Sequence, residues 1–153
     1  MDFATATSLW SYKDGNLYWK KDGKIAGYLH KSGYEYVHLK EKTYRVHRII
    51  FLICTGYLPC AIDHINGNKE DNRIENLRPA NNTQNQHNTT KRKTNKSGYK
   101  NIFWEKARGK WRVEFRIGNG KSKVVGRFIN LDDAIKAANE KTIFYHGDFA
   151  CKR

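Results

Sequence analysis

The sequence predicts an α+β protein made of two small modules, each pairing antiparallel strands with helix. Three observations predict this. Residues 9–40 are short runs rich in Tyr and Trp, with Val37 among them, punctuated by Gly, which is the composition of strands closed by turns. A stripe of Val46, Ile49, Ile50 and Ile53 follows, with apolar residues three and four apart as in a helix with one buried face. The last third returns to alternating strand periodicity and closes on a second helical stripe. At 153 residues the chain has the length of one average domain, so two modules must both be compact. Its 39% hydrophobic and 13% aromatic residues supply cores and argue against disorder.

The elements follow in order. Asp14-Gly15, Asp22-Gly23 and Lys31-Ser32-Gly33 are turn signals, and the runs between them predict a small antiparallel sheet. Residues 44–55 form the first helix, with Gly56 as its C′ residue and Pro59 shortly beyond. Residues 62–79 are dense in Asp, Asn and Gly, with isolated Ile65, Ile74 and Leu77. That predicts a loop held between two short strands or turns. Residues 81–89 are polar and predict a short helix capped by Asn81 or Asn82.

Residues 91–97 read KRKTNKS, basic and free of apolar side chains, the mark of a linker or phosphate-contacting arm. Strands are expected at 99–104, 110–117 and 123–128. In the second, Val113, Phe115 and Ile117 alternate with Arg112, Glu114 and Arg116, so one face is dry and one wet. Asn119-Gly120 favours a tight hairpin turn. The closing helix places Leu131, Ile135, Ala138 and Thr142 on one side, after a cap at Asn130 and with Asp132 and Asp133 in its first turn. The expected boundaries are 1–90 for the first module, 91–98 for the linker and 99–153 for the second module.

Charge narrows the partner. The chain carries 29 Lys and Arg against 15 Asp and Glu, a net of +14. Residues 91–127 alone hold 13 basic residues and two acids, Glu105 and Glu114. A solubilising surface mixes its signs more evenly, so a localised polyanion site is expected, with nucleic acid first. No apolar run reaches the ~18 residues of a membrane span, and the N-terminus lacks the charged and apolar regions of a secretory signal. Cys54, Cys60 and Cys151 form no Cys-x-x-Cys and no zinc-spaced cluster. Reduced thiols in a reducing cytoplasm are expected.

Chemistry concentrates between residues 46 and 88: Val46-His47-Arg48, then Asp63-His64-Ile65-Asn66-Gly67-Asn68, then Glu75-Asn76-Leu77-Arg78, then Asn85-Gln86-His87-Asn88. Phosphodiester hydrolysis needs an activated water, a cation facing the developing charge, and a proton for the leaving oxygen. A neutral imidazole is a suitable base near pH 7. Carboxylate and carboxamide oxygens are hard donors that suit Mg²⁺. Singly, each residue has an ordinary reading as a turn, a cap or a solvated polar group. Their order and spacing point to catalysis.

These motifs resemble the HNH endonucleases with their ββα-metal site, in the phage and intron homing branch, over roughly residues 9–90. The resemblance implies that His64 is the general base and that Asp63 is a metal ligand. It makes Asn76 a tether spanning the loop and Asn85 the second ligand, where the founding motif has His. His87 competes with Asn85, but residues two apart on a helix face different directions. The implied cofactor is Mg²⁺, Mn²⁺ or another divalent cation. His47 has even claims to the site and to the core, and Arg48 is a candidate phosphate contact. His30, His38 and His146 carry no motif and take structural or surface roles.

Residues 97–149 resemble the Apetala-type DNA-binding domain, carried by Ser97-Gly98-Tyr99-Lys100-Asn101-Ile102, Gly109-Lys110-Trp111, Val113-Glu114-Phe115-Arg116, Val125-Gly126-Arg127-Phe128, Asp132-Asp133-Ala134 and Ala137-Ala138. Such a domain lays its sheet in the major groove of double-stranded DNA. Matching contact positions are Lys100, Phe103, Arg108, Glu114, Arg116 and Val125, although the plant domains hold Arg and Trp where Phe103 and Val125 stand. Lys96, Lys110, Arg112, Lys121, Lys123 and Arg127 add charge near the same face. Trp111 is expected in the core; Trp104 is open. The paired resemblance implies a phage or other mobile element acting in a bacterial cytoplasm, as a nicking monomer or a double-strand-cutting dimer. The rival reading is a DNA-binding protein with a degenerate HNH module. An RNA-binding or RNA-cleaving protein is the weaker third, since no RNA-recognition signature is present.

Overall fold

The computed structural model describes residues 1–89, 95–118 and 120–150. Most of the basic run KRKTNKS, together with Asn119 and Cys151, lies outside the described residues. The chain divides into two compact units, Met1–Asn81 and Asn82–Arg153. The sequence reading carries the first module to residue 90, whereas the short polar helix of residues 82–88 groups with the second unit.

The first unit opens on a helix that the sequence did not predict, α1 (Phe3–Leu9). Its seven residues, rich in Ala and Thr, are too few to show a helical period. Asp2 starts it by accepting the Thr5 amide at 2.8 Å, an N-cap contact. The strand-rich stretch forms two sheets rather than one. β1 (Trp10–Lys13) and β2 (Asn16–Trp19) make a hairpin. β3 (Tyr28–Leu29), β4 (Glu35–Leu39) and β5 (Lys42–Arg45) make a separate antiparallel sheet. Tyr44 and Arg45 belong to β5, so the helix α2 runs from Val46 to Thr55. It ends as expected at Gly56, whose φ of 79° is left-handed, a conformation that costs glycine little.

Helix α2 buries Val46, Ile49, Ile50, Phe51 and Leu52 against Trp10, Leu17, Val37, Ile62 and Leu77. This apolar face is wide because α2 sits at the centre of the unit. Each such side chain contributes about 1.5–3 kcal/mol on burial. The segment leading into β3 approaches the helix so closely that a Cβ on Gly27 would lie 2.9 Å from Val46 Cγ2. Downstream, β6 (Ala61–His64) and β7 (Leu77–Ala80) pair antiparallel on either side of the Asn-rich loop.

The second unit contains α3 (Asn82–Asn88), then β8 (Ile102–Glu105), β9 (Lys110–Gly118), β10 (Lys121–Phe128) and α4 (Leu131–His146). The sheet order is β10-β9-β8, all antiparallel. Val113 and Phe115 are fully buried with Ile102, and Ala134 and Ala138 give α4 a small-residue face against them. Ile117 breaks the predicted alternation and is 48% exposed. The register explains it: Gly118 pairs with Lys121 and Arg116 with Ser122, leaving Ile117 as the extra residue of a bulge. A second bulge, between Val124 and Gly126, falls at Val125, which packs against the core. Asn130 occupies the N-cap position of α4 but makes no side-chain capping bond, contrary to expectation. Among the described residues, no helix is long and apolar enough to cross a membrane.

Candidate active site

The hairpin of β6 and β7 sets the site. In its register Asp63 faces Arg78 and His64 faces Leu77. The loop between the strands is tied across its base by Asn76. Its Oδ1 accepts the Asn66 amide at 2.9 Å, and its Nδ2 donates to the Asp71 carbonyl at 2.7 Å. Asp71 in turn accepts Asn66 Nδ2 at 2.7 Å and two Arg73 bonds at 2.8 Å. The guanidinium of Arg73 holds that carboxyl well below the usual carboxylate range. The Tyr12 hydroxyl accepts the Ile74 amide at 3.1 Å, fastening the loop to the first hairpin. A polar loop of this length stays ordered because its turn residues spend their side chains on backbone and neighbouring partners.

His64 is 4% exposed. Its Nε2 lies 3.2 Å from Asn72 Oδ1, and Asn72 Nδ2 donates to Glu35 Oε2 at 2.9 Å. The His47 ring, brought by the first turn of α2, meets the His64 ring edge-on at 4.9 Å. Tyr34 lies 5.3 Å from His47 and 6.0 Å from His64, centroid to centroid. Burial pushes the His64 pKa down, against the opposing pull of Asn72, Asp63 and Asp71. His47 is lowered to about 3, by burial first and then by the charges of His64, Arg45 and Arg48. Near neutral pH both rings are uncharged, so His64 can take up a proton.

Asp63 is equally buried, and its Oδ2 accepts Arg78 Nε at 2.9 Å and Nη2 at 2.7 Å. Arg48 donates to the Pro59 carbonyl at 3.3 Å and the Cys60 carbonyl at 3.4 Å, bracing the approach to β6. Lys69 and Arg45 lie over the Tyr34 ring, at 4.5 and 4.8 Å from its centroid. Among the described residues, no group of three or more His, Cys, Asp or Glu side chains could hold a metal ion. The sequence reading missed Glu35, Asn72 and Tyr34 and gave Arg78 no role. Asn72 stands in Asp71-Asn72-Arg73, where it has the look of one more turn residue.

The remaining predicted residues belong to the second unit. Asn85 is half-buried on α3. His87 is built into this unit's interior: its ring stacks on His146 at 3.9 Å, and its Nε2 lies 3.0 Å from the Arg116 carbonyl oxygen. Burial, then the His87 and Lys100 charges, lower His146 to about 4. The Lys100 ammonium donates to the carbonyls of Gln86, His87 and Thr89, the favourable place for a cation at the end of α3. Arg116 Nη1 donates to Gln86 Oε1 at 2.9 Å.

On the sheet's outer side, Phe103, Arg112 and Arg127 fall in one cross-strand row. Arg112 pairs with Glu114 at 2.9 Å, and Glu105 pairs with Arg127 at 2.6 Å and Arg108 at 3.4 Å. Lys96, Lys110, Lys121 and Lys123 are exposed. So are Phe103 and Trp104, while Trp111 packs against the core.

Residues 44–87 match the family model of the HNH endonucleases. The matched stretch includes His47, Asp63, His64, Asn76 and Asn85. No curated protein and no solved structure matches the chain.

Proposed function

We propose that the chain is a divalent-metal-dependent endonuclease that hydrolyses phosphodiester bonds of double-stranded DNA. The observation that carries this reading is the buried, uncharged His64 beside Asp63 on one hairpin, within the stretch that matches the HNH endonucleases. His64 takes the proton from the attacking water. Asn76 keeps the loop after His64 closed, so the ring is presented from a fixed backbone. Arg78 holds the Asp63 carboxylate in one orientation.

The donor chemistry fits a small, hard cation that keeps most of its waters, because such an ion asks for only one or two carboxylates. Asp63 would hold the ion with Asn85, the latter on motif order alone, and the ion would supply charge to oppose that developing on the phosphate. The packing of His87 against His146 supports Asn85 over His87 for that place. Cleavage leaves 5′-phosphate and 3′-hydroxyl ends by family resemblance.

The second unit binds the duplex as an Apetala-type domain, through Lys96, Arg108, Lys110, Arg112, Glu114, Arg116, Lys123 and Arg127. Arg reads base edges and Lys meets phosphate. Lys100 and Arg48 already bind backbone carbonyls, which supports positioning roles for both.

One observation favours a second reading, a DNA-binding protein without catalysis: the Arg78 guanidinium already pairs with the Asp63 carboxylate at 2.7 Å. Incubation with supercoiled plasmid and Mg²⁺, with and without chelator, separates the two. Chelator-sensitive nicking supports the nuclease, and tight binding without nicking supports the binder.

A further inference from the structure

Two stretches of the chain, 37 residues apart at Glu35 and Asn72, converge at His64. Glu35 stands at the start of β4, Asn72 in the Asn-rich loop and His64 at the end of β6. Asn72 is 1% exposed, so its amide must find its partners inside the protein. A carboxylate only accepts hydrogen bonds, whereas an amide has one donating and one accepting end. Glu35 therefore fixes which way the Asn72 amide points. Its NH₂ faces Glu35 Oε2 at 2.9 Å, which leaves its oxygen facing His64 Nε2 at 3.2 Å. An amide oxygen needs a donor opposite it, and a neutral imidazole has one N–H.

We infer that Glu35 and Asn72 are positioning residues that lock His64 in the tautomer carrying its proton on Nε2, which makes Nδ1 the atom that takes the proton from water. The inference rests on the proposed nuclease reading only for the role of Nδ1; the lock itself is a property of the fold. It acts through a chain of two side chains, one charged and half-buried, one neutral and buried. Free imidazole populates both tautomers, and a buried bond of this kind shifts the balance by about ten- to a hundredfold. Burial raises the Glu35 carboxyl above its ordinary value, with a further rise from the charge of Glu70, and the bond from Asn72 opposes that rise.

The test is nitrogen-15 NMR of the His64 ring at about pH 8, where histidine is neutral, with the resonances assigned through His64→Gln. The wild type is expected to show Nε2 protonated in at least about tenfold excess. Asn72→Leu is expected to collapse that excess toward the free-imidazole ratio. Glu35→Gln, whose amide can donate as well as accept, no longer fixes the direction of Asn72 and is expected to reduce it in part. In single-turnover cleavage Asn72→Leu should slow the chemical step by about ten- to a hundredfold with duplex affinity unchanged.

A wild-type ring protonated on Nδ1 overturns the inference without any variant. So does an unchanged tautomer ratio in a folded Asn72→Leu protein. If the tautomer results hold and the wild type cuts no DNA, the lock stands and the nuclease reading falls.

Discussion

Lowering the pH should destabilise the first unit through His47. The unfolded chain binds a proton at His47 below its ordinary pKa of 6.5, whereas the folded protein resists until about 3. Between these values the unfolded state holds more protons, so stability rises with pH. The contribution is complete above about pH 6.5 and is lost as pH falls toward 3. Each pH unit inside that window is worth about 1.4 kcal/mol, which makes the full loss about 5 kcal/mol. A domain stable by only about 5–15 kcal/mol would feel this strongly.

The perturbation that isolates it is His47→Leu. Nδ1 of His47 has no hydrogen-bond partner among the described residues, so a leucine of similar bulk forfeits little there. Urea melts at several pH values between about 7 and 4.5 should give His47→Leu a shallower dependence than wild type, by up to about 1.4 kcal/mol per pH unit. Trp10 and Trp19, 5.1 Å apart in the first hairpin, report the transition in a background with Trp104 and Trp111 replaced by Phe. Equal slopes for the two proteins would refute the reasoning, since His47 would then titrate alike in both states.

Other expectations follow from the same structure. His64→Ala should abolish cleavage while leaving duplex affinity nearly intact, read by nicking and by binding in parallel; full cleavage would remove His64 as the base. Asn76→Ala deletes two loop bonds and should cost about 1–3 kcal/mol, with faster hydrogen exchange at the Asn66 amide; unchanged exchange would mean the loop is tied elsewhere. Duplex affinity should fall steeply with salt, and Lys110→Ala with Lys123→Ala should make that dependence shallower by about two counterions, as a titration over salt would show. A flat salt response in the wild type would separate binding from the basic sheet.

How much of this was legible depended on distance along the chain. Helix α2 could be read because its buried residues recur at helical steps and Gly56 ends it at a positive φ. Strand β9 could be read from its alternation as far as Phe115. It failed at Ile117, because a bulge is a property of pairing with β10 and not of β9 itself. Helix α1 left no trace, being seven residues of weak periodicity. In the candidate site, Asp63, His64 and Asn76 could be proposed together because their motifs lie on one hairpin and its loop. Glu35 could not: it stands 37 residues from Asn72, and nothing local to Glu35 distinguishes it from a surface carboxylate.

The sequence by itself therefore determined the residue types of the candidate site, the order of the elements from α2 onward and the uneven placement of charge, since these are written in neighbouring positions. Only tertiary structure decided what each polar group faces. It turned Lys100 onto the carbonyls ending α3, clamped Asp63 with Arg78, packed His87 against His146 and placed Asn72 between Glu35 and His64. The physical reason is that burial makes a polar side chain take whichever partner the packing of distant elements brings within about 3 Å. Local sequence carries no record of that partner.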